Sequence, residues 1–285
     1  MKHSVSFLAS HVPWLFSANL GKISVLDEGI CVSMPGYEAG VLVMNQTGAH
    51  SSAPSQGLPL VWLAWLAALL PFVTTHICYL LAASHGQVDW CIPYWDSCTS
   101  ISATGRQLPA KYVFKLGMIP AALLTAALWW CLWGWGRQHQ AGTGWWMPVL
   151  GSLAALALIL YTLALGEVGQ GYRTLRRTGV VLAFAFTFLA QVLFTRLLRR
   201  LAQRNGDPWW THWWRRSLSL QLLLLGIGLL SVILDLVLGR GYDAMEDAFE
   251  WWMALLLNGY FVGVALLLRR DPGWLQIRAA GPGRV

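Results

Sequence analysis

Six stretches of the chain are dominated by apolar residues, at 58–82, 112–135, 146–166, 178–198, 218–238 and 251–268. The hydrocarbon core of a bilayer, about 30 Å thick, is crossed by roughly 20 helical residues rising about 1.5 Å each. Backbone in lipid finds no water to bond, so runs of this length must close their hydrogen bonds internally as helices. The pattern predicts an all-α polytopic membrane protein, a six-transmembrane-helix bundle over residues 57–270. Residues 1–56 read differently, as a poorly ordered N-terminal tail, and residues 271–285 as a short C-terminal tail. His3, His11 and Pro13 interrupt the one apolar stretch of the N-terminal tail, which makes it a poor signal peptide. The polar run from Met44 through Ser51, Ser52, Pro54 and Ser55 resembles an ordinary short leader, so Met44 is an alternative translation start.

Composition agrees with the pattern. Hydrophobic residues make up 56% of the 285 positions and charged residues only 12%, where soluble domains carry about 25% charge. The 18 tryptophans cluster near the ends of the apolar runs, where amphipathic rings favour the membrane interface. The net charge of +7 does not indicate nucleic-acid binding, because most basic residues flank helix ends. There they set orientation and meet anionic head groups.

An even number of crossings puts both termini on one side. The arginine-rich segments 196–216 and 269–284, with Arg137, favour a cytoplasmic location for both termini, while Arg173, Arg176 and Arg177 work against it. Under this orientation Asp89, Asp96, Glu167, Asp243, Glu246, Asp247 and Glu250 face outward, as do Cys91 and Cys98, which an oxidising compartment would let pair. The expected location is the plasma or inner membrane. Cys91 and Cys98 read as a staple closing a small loop over Pro93 and Tyr94, with a redox or metal site as the alternative. No His or other Cys lies at a zinc-like spacing, and neither a metal nor a cofactor is expected.

Candidate chemistry lies in the loops. In the long connection 83–111, Thr99, Ser100, Ser102 and Thr104 offer hydroxyls, and His76, His85, Asp89 and Asp96 are near in sequence. A serine nucleophile would need one of these as base. Hydroxyls in such a loop more often cap helices and turns. His76, near the end of the first crossing, should face the bundle or a wet cavity. Asp235 raises the same question near the end of the fifth crossing. If residues 243–250 are helical, Asp243, Glu246 and Glu250 share a face, and Glu250, beside Trp251 and Trp252, needs a partner. Glu167 with Arg173, Arg176 and Arg177 suits a phospholipid head group or a structural ion-pair network. The segment 199–216 reads as a loop around the turn Asn205-Gly206-Asp207-Pro208. Its Trp and Arg residues are interfacial anchors, with anionic-lipid recognition as a lesser option. Gly259 and Gly263 form a small-x-x-x-small pair, and Pro71 and Pro120 are expected to kink their helices.

The stretch from Thr99 to Met118 resembles the segment before the second helix in the Frag/DRAM/Sfk family of six-helix membrane proteins, matching at Ile101, Ser102, Thr104, Gly105 and Pro109. Thr99 stands where that family usually has Pro, and Ala103 where Asp is common. Glu167 with Tyr172, Arg173, Arg176, Arg177, Phe184, Phe186, Phe188 and Gln191 is similar to the start of its fourth helix, and Phe249-Glu250-Trp251 to the start of its sixth. The family includes a GPI-anchor lipid-remodelling factor, damage-regulated autophagy modulators and a yeast protein tied to lipid asymmetry. The resemblance implies a lipid-linked role without a catalytic mechanism to carry over. The expected function is binding or organising membrane lipids through an outward-facing polar site built from Ser102, Glu167, Arg173, Glu250 and His76. A lipid-modifying acyl transferase or hydrolase is the alternative, and a small transporter the second alternative. Membrane lipids are the expected partners.

Overall fold

The computed structural model describes residues 58–272 apart from 140, 141 and 143, together with short strands on either side. Those strands include a small unit of its own. In it, β1 (Ile23–Leu26) pairs antiparallel with β2 (Gly29–Val32), and β3 (Gly40–Leu42) pairs with a C-terminal strand, Ile277–Ala279. The rest of the expected tails, with the start at Met44, lies outside the described residues.

The second unit holds six helices long and apolar enough to cross a membrane. A strand pair, β4 (Leu58–Pro59) with β5 (Trp274–Leu275), brings the two ends of this unit together, and Ile277–Ala279 is therefore β6. The helices follow as α1 (Leu60–Ser84), the short α2 (Pro93–Asp96) and α3 (Ile101–Thr104), α4 (Ala110–Gln138), α5 (Trp146–Ala164), α6 (Gln170–Asn205), α7 (Pro208–Leu238) and α8 (Glu246–Arg270). A 3-10 turn, Gly239–Ala244, joins α7 to α8. The protein is thus an all-α polytopic bundle. Going round it, α1 packs on α4, α4 on α5, α5 on α6, α6 on α7, α7 on α8, and α8 back on α1.

Every expected crossing is present, but α4, α6, α7 and α8 outrun their apolar stretches. Apolar runs mark the extent of hydrocarbon, and a helix can continue into the head groups where water and phosphate meet its polar side chains. Arg173, Arg176 and Arg177 therefore lie on α6 and not in a loop. The segment 199–216 is likewise two helix ends with a tight turn between them. Gly206 caps α6 in the left-handed region (φ 64°), with its N–H on the Ala202 carbonyl at 3.2 Å. Asp207 then accepts the Trp209 N–H at 2.8 Å, and Pro208 opens α7.

Small residues let the helices approach closely. Ala64, Ala67, Ala68, Ala121, Ala122, Ala154 and Ala155 are buried. A side chain at Gly151 would run into the Trp129 ring, and one at Gly117 into Thr74. Gly259 and Gly263 do not serve this purpose, because a Cβ on either would meet open space. The expected close packing occurs on α4 and α5 instead. The tryptophans are not only an interface belt: Trp129, Trp135 and Trp251 are fully buried.

α7 stands at the periphery. Only 6% of its spanning window is buried, against 33% to 50% for the other five helices. A polar junction in the bundle holds it. Gln191 on α6 donates to the Leu257 carbonyl on α8 at 3.0 Å and accepts from the Gln221 amide on α7 at 2.9 Å. Tyr260 donates to the Gln191 carbonyl at 2.9 Å and contacts the Thr195 hydroxyl at 2.8 Å. Replacing Gln191 by Leu strands the Gln221 amide in hydrocarbon. Interhelical bonds of this kind contribute about 0.6 to 1.7 kcal/mol, so Gln191→Leu should lower the thermal midpoint in detergent and speed hydrogen exchange in α7 more than in α1 or α4.

Candidate functional site

The bundle has two chemically distinct ends. One carries the start of α1 and the end of α8, and is rich in arginine. The other carries the connections 85–109, 165–169 and 239–245 and the disulfide between Cys91 and Cys98, whose Cα atoms are 6.6 Å apart. The expected polar site lies at this disulfide end.

The connection after α1 folds down onto α1 and α8. The Tyr79 hydroxyl accepts the Cys91 N–H at 2.8 Å and donates to the Cys91 carbonyl at 2.7 Å. Two indoles on α8 reach the same connection: Trp251 donates to the Thr99 carbonyl at 2.8 Å and Trp252 to the Tyr94 carbonyl at 3.0 Å. The Ala248 N–H, in the first turn of α8, donates to the Ser97 hydroxyl at 3.1 Å. Backbone acceptors that would otherwise lack partners near the membrane are satisfied this way.

His76 belongs to this clamp. Its Nδ1 is 2.7 Å from the Phe72 carbonyl, so that nitrogen carries the proton. Its Nε2, 3.0 Å from the Tyr94 hydroxyl, then accepts from it. Burial pushes the Tyr94 phenol above its ordinary value, which keeps it a donor at neutral pH. His85 is similar: its Nδ1 lies 2.8 Å from the Leu81 carbonyl and is therefore protonated, so it cannot take a proton from the Ser84 hydroxyl 3.2 Å away. Ser102 meets neither histidine. It contacts the Ser100 hydroxyl at 3.1 Å and accepts from Arg106 at 2.9 Å. No serine and histidine of this connection form a nucleophile–base pair among the described residues.

A different set of side chains does converge. α3 is a single turn capped by Ser100, which accepts the Ala103 N–H at 3.1 Å. Gly105 follows it, and a side chain there would collide with Phe114 and Leu165. This turn places Ile101 beside Glu250 in the lining of one cavity and keeps Arg106 within electrostatic reach of the carboxylate. Of the acids expected on one face, Asp243 falls in the 3-10 turn, and only Glu246 and Glu250 share α8.

Glu167 is placed between cations, but not those expected. Lys111 and Lys115, one turn apart on α4, approach its carboxylate at 2.8 and 3.1 Å, while Arg173 stands exposed on α6. Gly166, at φ 76°, turns the chain so that its carbonyl also accepts from Lys111 at 3.1 Å. The two lysines hold the Glu167 carboxyl below its ordinary value. The spacing of Lys111 and Lys115 was a readable signal for a shared face. Nothing in the sequence placed Glu167 beside them.

Beneath this rim, a cavity runs between α1, α4, α5, α6 and α8. Its walls are mostly small or apolar, including Ala122, Ala154, Ala183 and Phe261. Glu250 and Ile101 lie at the disulfide end of its lining. Tyr161 lines it too, 3% exposed, and its hydroxyl has no bonding partner among the described residues. Glu250, Arg106 and Arg176 all act on that hydroxyl electrostatically. Tyr161 and Arg106 are the site residues that sequence reading missed, since only the helix packing turns them to one place.

A group whose folded value is depressed stabilises above its unfolded value and loses that contribution as pH falls through the folded one. Glu167→Gln should therefore lower the thermal midpoint at neutral pH, and the gap to the unaltered protein should close as pH drops below about 4.

No curated protein and no solved structure matches this chain. Residues 59–266 match the model of the Frag1/DRAM/Sfk1/Cwh43P N-terminal domain. The match takes in the capped turn Ile101–Gly105, the Glu167 pair and the Glu250 carboxylate with its Trp251 clamp. On this evidence the chain belongs to the Frag1/DRAM/Sfk1/Cwh43P family.

Proposed function

We propose that this protein binds a membrane lipid, with the acyl chain in the central cavity and the head group at the polar rim of the disulfide end. The carrying observation is the cavity itself, with alanine and phenylalanine walls, a carboxylate at one end and, in its lining, a tyrosine hydroxyl without a bonding partner among the described residues. An amphiphile has the same division. Its hydrocarbon gains dispersion contacts against the walls, and its polar part can offer an acceptor to Tyr161 or Arg106 and a donor to Glu250. Lys111, Lys115 and Arg106 supply positive charge at the rim, which suits a head-group phosphate. The membership of the family supports the reading as well, through the lipid-linked roles its resemblance implied.

The rim faces away from the cytoplasm in this reading. The arginine-rich end then obeys the positive-inside preference, and Cys91 and Cys98 lie where a disulfide persists.

Mass spectrometry of lipids copurified with the full chain tests the binding. Filling the cavity with Ala183→Leu or Ala154→Leu should cut retained lipid several-fold, and Tyr161→Phe should change which head groups are retained. Unchanged lipid content and identity in all three variants would sink the proposal. Orientation has a separate test. After reduction, an impermeant maleimide added to intact cells should label Cys91 and Cys98, with the buried Cys78 and Cys131 silent. Labelling only after permeabilisation would invert the topology.

A further inference from the structure

Five guanidinium groups at the arginine-rich end lie over indole rings. Arg137 covers Trp133 at 5.0 Å from the ring centroid and Arg270 covers Trp209 at 5.1 Å. Arg269 covers Trp65 at 5.5 Å, Arg199 covers Trp214 at 5.7 Å and Arg216 covers Trp213 at 5.8 Å. The pairs involve α1, α4, α6, α7 and α8, five of the six spanning helices, all at the arginine-rich end. All five arginines are exposed.

Their other neighbours are the informative part. None of the five forms an ion pair or donates a hydrogen bond to a protein acceptor among the described residues. The acids described at this end are Asp207 and Asp271, and both are engaged, Asp207 as the cap of α7 and Asp271 with His139 at 2.9 Å. A guanidinium stacked on an indole uses its face for the ring. Its planar fork of N–H donors remains at the edge, the geometry that bonds a phosphate through two oxygens. The indole also holds the side chain in place, so less rotamer freedom is lost when phosphate arrives.

We propose that this collar is a binding surface for anionic phospholipid head groups in the leaflet around it. The occupant is a lipid because each fork lies at the level where interfacial tryptophans meet the head groups. It is an anionic lipid because the five arginines outnumber Asp207 and Asp271, the acids described at this end, and form an ion pair with neither, and a zwitterionic head group brings a cation of its own that this surface repels. The surface lies at the opposite end of the bundle from the cavity rim and stands independently of what the cavity binds.

The test uses the full chain reconstituted in nanodiscs of phosphatidylcholine and phosphatidylglycerol in equal parts, followed by mild extraction and mass spectrometry of retained lipid. Phosphatidylglycerol should be enriched roughly fivefold over its share, and the enrichment should fall as salt is raised. Retention in proportion to its share overturns the proposal using the unaltered protein alone. The combined variant R137Q, R199Q, R216Q, R269Q and R270Q should abolish enrichment. The matching lysine variant should retain only part of it, because charge remains while the stacked fork is lost. Equal enrichment in the glutamine variant would overturn the proposal, and full enrichment in the lysine variant would overturn the role of the stacked fork. Inorganic phosphate at matched ionic strength should not displace the lipid; displacement would show a site for free phosphate and overturn the lipid assignment.

Discussion

Polar groups inside hydrocarbon have no water to bond, and this constraint shapes the protein at every level. It makes the six runs helical, and it decides where polar side chains may stand. Gln191, Gln221, Thr195 and Tyr260 are buried in the bundle, and they bond one another and the Leu257 carbonyl. Thr74, Thr125 and Thr162 return their hydroxyls to carbonyls of their own helices. The Gln191 junction matters most, because α7 has so little buried surface that packing alone binds it weakly. Among the described residues the Tyr161 hydroxyl has no bonding partner, and neither have the Trp129 and Trp135 indoles or the Gln221 Oε1; a buried polar group left unpaired costs roughly 1–3 kcal/mol.

The two ends of the bundle manage charge in opposite ways. At the disulfide end, charges meet one another: Glu167 is held by two lysines, and Arg106 acts on Glu250. At the arginine-rich end, five arginines lie over aromatic faces. The first arrangement builds a shaped polar rim, the second an open surface toward the surrounding leaflet.

The family-like residues acquire physical roles from this arrangement. Ser100 caps the α3 turn, Thr104 returns its hydroxyl to the Ile101 carbonyl at 2.8 Å, and Gly105 permits contact with Phe114 and Leu165. Together they hold Ile101 in the cavity lining beside Glu250. Trp251, next in sequence to that acid, ties α8 to the same connection. Ser102 accepts from Arg106 and contacts the Ser100 hydroxyl.

The sequence by itself determined the membrane, the number of crossings and the turn at Gly206-Asp207, and it offered a Cys91–Cys98 staple with a redox or metal site as the alternative. Each depends on local composition or short spacing, which physics reads without knowledge of neighbours. It also identified Glu250 as an acid in need of a partner. Only the tertiary structure decided what surrounds it, because Ile101 and Arg106 lie far away in the chain and come near Glu250 only when the connection folds onto α8. The same reason moved Glu167 from Arg173 to Lys111 and Lys115, and kept Gly259 and Gly263 out of any close helix contact. Lipid imposes helix on a run of apolar residues whatever surrounds it, but it is indifferent to how such helices rotate against one another, and that rotation chooses which side chains meet.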